Sequence, residues 1–162
     1  MKALRRASVP ATFNIHVYAN ESATIYEPIC AQIRRNMCTA DELVKAPLSS
    51  EEYWLQLKAA DVVLLLYEPS RYRNQTSAVL IDALAAGCFP IVSEGTWLAD
   101  IVRSTGFGAI VSLDSNVGDT VATVLKAGLP KEITAEVKQL LQFHTQENFF
   151  ALLTSALRES AV

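Results

Sequence analysis

Between residues 11 and 19 (ATFNIHVYA) the side chains Phe13, Ile15 and Val17 alternate with Thr12, Asn14 and His16. Successive side chains of a strand point to opposite faces, so this period of two predicts a first strand with unlike faces. Over residues 24–35, Ile25, Ile29, Cys30 and Ile33 recur at three- and four-residue spacings and predict a helix, with Pro28 tolerated near its first turn. Leu43 and Val44 make a short second strand. Residues 47–50 form a loop in which Ser49 and Glu52 have capping-box spacing. The helix that follows, 50–59, takes Tyr53, Trp54 and Leu57 as its buried stripe. Residues 61–67 (DVVLLLY) are a continuous run of strand formers bounded by charge, as expected for the middle strand of a parallel sheet covered on both faces.

The segment 68–76 is polar and predicts a loop. A helix over 77–86 stops at Gly87, and a strand over 89–92 follows. A further helix, 96–105, leads through Gly106 and Gly108 to a last strand at 109–111. Asp114 or Ser115 caps a helix running to Lys126, with Gly128, Leu129 and Pro130 as its stop, and residues 133–161 read as two helices breaking near His144 and Thr145. Strands alternating with helices at this spacing predict a parallel, three-layer α/β sheet built with right-handed crossovers. With five strands the simplest doubly wound order is 2-1-3-4-5. Its topological switch lies between the first strand and residues 62–67, so a ligand is expected over residues 20–24 and 68–77 at the carboxyl ends.

At 162 residues the chain is sized for one domain, 1–162, and its 51% apolar and 19% charged content excludes disorder and coiled coil. The longest apolar run, 62–67, is far shorter than the ~20 residues that cross a bilayer. No signal-peptide core can be drawn, so a cytoplasmic protein without an integral membrane segment is expected. Cys30, Cys38 and Cys88 fit neither a disulfide framework nor zinc knuckles and read as reduced, buried small hydrophobes. A net charge of -3 without a basic stripe argues against nucleic acid as partner.

Most α/β chemistries fail at the switch. The first turn has no glycine triplet, there is no P-loop or Gly-x-Ser-x-Gly, and residues 67 and 68 offer tyrosine and glutamate where a phosphorylated receiver needs aspartate. His16 and His144 lack partners at metal-ligand spacing and read as structural or surface residues. What remains is the segment 67–87, YEPSRYRNQTSAVLIDALAAG. It delivers Arg71, Arg73, Asn74, Gln75, Thr76 and Ser77 to the switch. A helix starting at Thr76 or Ser77 would point the amides of Ser77, Ala78 and Val79 at an anion, a phosphate or diphosphate. Asp82, four residues after Ala78, lies on the same helix face about one turn (~5.4 Å) away, where a carboxylate suits ribose hydroxyls. The plainer reading of the same residues is a polar loop, a capping threonine and a solvated aspartate.

The segment resembles the donor-site motif of GT-B glycosyltransferases of the family 4, or group 1, type. LIDALAAGCFPIV is similar to that family's Glu-Ala-x-Ala-x-Gly-x-Pro run, and the likeness extends over residues 45–111. The resemblance implies a Rossmann-like donor domain that binds a nucleoside diphosphate sugar, with the nucleobase near Pro47, Leu48 and Ser49, the diphosphate on residues 77–79 and the ribose on Asp82. Arg71, Tyr72 and Arg73 are similar to basic tripeptides that neutralise the diphosphate in some subfamilies. Two positions depart from the pattern. Asp82 stands in place of the second glutamate, and Asn74 in place of the first, which the family uses near the donor sugar. No metal or other cofactor is expected, because the helix amides and Arg73 supply the positive potential. The resemblance also implies that an N-terminal acceptor domain is missing, the chain being an excised fragment or a truncated gene product. It would then be inactive alone, its cleft face covered by a partner or a second copy. The alternative is a stand-alone, non-catalytic α/β binding module.

Overall fold

The computed structural model describes residues 11–16, 31, 33–35, 42–44, 47–145 and 147–148. The expected helix over 24–35 is represented there by residues 31 and 33–35, which are helical, while Cys30, Cys38 and the end of the first expected strand lie outside the described residues. The fold is mixed α/β. Its elements in chain order are β1 (Asn14–His16), β2 (Glu42–Val44), α1 (Ser50–Ala59), β3 (Val62–Leu65), α2 (Pro69–Tyr72), α3 (Ala78–Ala85), β4 (Phe89–Ser93), α4 (Trp97–Thr105), β5 (Ala109–Val111), α5 (Val117–Ala127) and α6 (Ala135–Phe143).

The chain divides into two compact units, one of Met1–Tyr53 with Asn116–Gly128 and one of Trp54–Ser115 with Leu129–Val162. In the first, β1 and β2 pair in parallel with Ile15 opposite Leu43. The capping box forms as its spacing predicts. The Ser49 amide and hydroxyl donate to Glu52 Oε2 at 2.8 and 2.7 Å, and the Glu52 amide donates to Ser49 Oγ at 3.2 Å. These bonds, the side-chain one first, lower the Glu52 pKa. The cap expected at Asp114 or Ser115 does not form; Asn116 stands at the N-cap position, without a side-chain bond to the helix amides. The Ser115 hydroxyl is committed to the Ser112 carbonyl at 2.6 Å, while the Asn116 amide donates to Asp119 Oδ2 at 2.7 Å. Gly128, at φ 84°, ends α5 where the stop signal placed it.

The second unit holds a three-stranded parallel sheet of order β3-β4-β5. This order is the 3-4-5 part of the expected 2-1-3-4-5. Among the described residues β4 is the central strand of these three, and Leu64 and Leu66 are 40% and 37% exposed. β4 is the better buried strand, from Pro90 through Ser93.

Pro90 is compatible with this central position because of backbone alternation. The Phe89 amide donates to the Asp61 carbonyl at 2.9 Å, and the Glu94 amide donates to the Val111 carbonyl at 2.8 Å. Odd residues of β4 therefore turn their backbone groups toward β3 and even ones toward β5. The missing N–H of Pro90 falls on the β5 side, one residue before that pairing begins at Ile91 and Ala109. At the same corner Gly108 has φ 132°, and a Cβ there would meet the Pro90 carbonyl oxygen at 2.8 Å. Only glycine allows so close an approach.

One face of this sheet and the helices α3, α4 and α6 share a core of Leu65, Leu80, Leu84, Val92, Leu98, Val102, Phe107 and Val137. Phe107 meets the Phe89 ring edge-on at 5.4 Å. Side-chain oxygens fix the helix starts. Thr96 accepts from the Ala99 amide and donates to the Ser93 carbonyl, at 3.2 and 2.7 Å. Thr134 accepts from the Val137 amide at 3.2 Å and donates to the Thr105 carbonyl at 2.8 Å, which ties the start of α6 to the end of α4. Gly106, left-handed at φ 63°, closes α4 with its amide on the Val102 carbonyl. Cys88 is buried and reduced. Its thiol donates to the Leu57 carbonyl at 2.9 Å, and desolvation pushes its pKa up.

Candidate functional site

The carboxyl edge of β3 is where the sequence concentrates polar side chains. The strand ends at Leu65, two residues before the apolar run does, because the Tyr67 amide turns back to the Leu65 carbonyl at 3.0 Å. The segment 68–76, expected as a loop, contains the one-turn helix α2. Pro69 occupies its first turn, and the amides of Arg71 and Tyr72 both bond to the Glu68 carbonyl, at 3.1 and 3.0 Å. The turn brings the Tyr72 ring to 4.3 Å from the Tyr67 ring, tilted by 37°, with the Arg71 guanidinium 5.8 Å from the Tyr72 centroid. Gly95 in the turn after β4 packs against Pro69, whose Cβ is 3.5 Å from where a glycine side chain would begin. Sequence periodicity missed this tyrosine pair, since it depends on α2 folding the chain back after β3 rather than on a regular repeat. The Glu-Pro step, with proline favoured at a first helical position, was the available signal.

Arg73, Asn74, Gln75 and Thr76 are exposed and lead directly into Ser77, the N-cap of α3. Ser77 is buried, and its hydroxyl accepts from the Leu80 amide at 3.3 Å. The cap hydroxyl is therefore committed to the helix. The amides of Ala78 and Val79 have no carbonyl one turn back to meet, as at any helix start. Ala78 is exposed and Val79 half-buried, so the first of these amides belongs to a residue at the surface. Asp82 is half-buried one turn into α3, and its carbonyl accepts from the Ala86 amide at 2.9 Å. The second unit thus brings Arg73, Asn74, Gln75, Thr76, Ser77, Ala78, Val79 and Asp82 together along one loop and the first turns of one helix.

Pro47, Leu48 and Ser49 belong to the first unit. Pro47 is exposed and Leu48 half-buried, while the Ser49 hydroxyl is engaged as both donor and acceptor in the capping box. Any contact these residues offer a ring is therefore mostly apolar. His144 caps the end of α6 through its backbone and is exposed. Among the described residues no three His, Cys, Asp or Glu side chains form a metal-binding group, and no helix is long and apolar enough to cross a membrane.

No protein-family model matches the chain, and no curated protein matches it.

The chemistry available at the start of α3 rests on its own groups. A helix N-terminus carries roughly half a positive charge, and the exposed Arg73 four residues before the cap adds a full one. Together they favour an anion. A half-buried carboxylate one turn further along is an acceptor, and with the anion site it suits a ligand that has a negative group next to hydroxyls.

Proposed function

We propose that the chain is the donor-binding domain of a glycosyltransferase that uses a nucleoside diphosphate sugar. The observation that carries the reading is the start of α3. There a serine-capped helix N-terminus follows an exposed arginine-bearing loop and precedes Asp82 by one turn, in the stretch whose LIDALAAGCFPIV run resembles the GT-B donor motif. In this reading the diphosphate rests on the amides of residues 77–79, with Arg73 opposing its charge. Asp82 accepts from the ribose hydroxyls. The protein works in the cytoplasm without a metal.

Transfer itself needs an acceptor held beside the donor away from water. That positioning is worth roughly 7–11 kcal/mol of barrier, so a second domain or a second copy supplies the other wall. Asn74 carries no charge to stabilise a developing oxocarbenium ion, and the chain alone is therefore expected to bind donor without turning it over. The test is a thermal-shift series with uridine, guanosine and adenosine diphosphate sugars, with and without chelator. A ligand at ten times its Kd adds about 1.4 kcal/mol and raises the midpoint by a few degrees. At least one donor should do so, chelator or not. If none does at millimolar concentration, the non-catalytic module becomes the better reading.

A further inference from the structure

We draw no further inference here: the strongest candidate, the apolar patch that Leu64 of β3 and Leu66 just after it leave exposed, carries nothing because no feature of the described residues shows what covers it.

Discussion

Replacing Gly108 by alanine separates two costs that the corner between β4 and β5 combines. Its φ of 132° is a conformation that side-chain-bearing residues avoid, at roughly 1–3 kcal/mol. The new methyl group would also lie 2.8 Å from the Pro90 carbonyl oxygen and 3.0 Å from both Pro90 Cγ and Val102 Cγ1. Because the nearest of these atoms is backbone, relief requires a shift of β4 itself, and such overpacking costs about 1–3 kcal/mol more. Alanine's smaller unfolded-state entropy returns about 0.4–1 kcal/mol, which leaves a net loss of about 1–5.5 kcal/mol. Gly87 provides the control. It has φ 81° but nothing within 4 Å of a built Cβ, so Gly87→Ala bears the conformational cost alone, about 1 kcal/mol after the same correction. Urea titrations of both variants, followed by far-UV circular dichroism and by tryptophan fluorescence, give the two losses. Gly108→Ala should exceed Gly87→Ala by at least about 1 kcal/mol. Equal losses would mean that β5 does not leave Gly108 against Pro90 and that the strand order β3-β4-β5 is misplaced at this corner.

Thr134→Val removes both the cap of α6 and the bond to the Thr105 carbonyl, and should cost about 1–2 kcal/mol in the same titration. A loss below about 0.3 kcal/mol would show that the tie between α4 and α6 is not made. Among the described residues Ser93 Oγ is the one buried side-chain oxygen or nitrogen without a partner, so Ser93→Ala should be neutral or stabilising by up to about 1 kcal/mol, and a clear destabilisation would reveal a partner. Glu52 has its folded pKa lowered by Ser49, so the capping box stabilises above the unfolded glutamate pKa and loses that contribution as pH falls through the lower folded value. A pH series should show this acid-side loss in the wild type and a shallower one in Glu52→Gln; identical profiles would remove the box from the account.

The parts of the fold that depend on near neighbours were legible in the sequence. Ser49 and Glu52, Ser77, Thr96 and Gly106 act at the helix ends where their residue types and spacing put them, because caps are satisfied within three or four residues. The expected cap at Asp114 or Ser115 failed because three polar residues in a row offer competing local bonds: Ser115 spent its hydroxyl on Ser112, and Asn116 at the N-cap position donates to Asp119 instead of capping. The order β3-β4-β5 was legible, since the expected 2-1-3-4-5 sets β4 between β3 and β5. What was not legible is why β4 tolerates Pro90: only the alternation of backbone direction shows that no β5 bond is lost there. At the candidate site the cap and the exposed loop could be read from residue types, whereas the stacking of Tyr67 on Tyr72 required the unforeseen turn α2.

The central claim is that the start of α3 receives a diphosphate while Asp82 takes the adjoining ribose. Isothermal calorimetry of the nucleoside diphosphate selected by the thermal-shift series tests it most directly, on the wild type, on Asp82→Ala and on Glu136→Ala, which changes an exposed carboxylate of α6. Loss of one charge-assisted hydrogen bond, about 1.5 kcal/mol, weakens binding about tenfold. Asp82→Ala is therefore predicted to raise Kd about tenfold, and Glu136→Ala to leave Kd where it was. Equal affinities for all three proteins, or no saturable heat with the wild type, would contradict the assignment and return Asp82 to a purely structural role on α3.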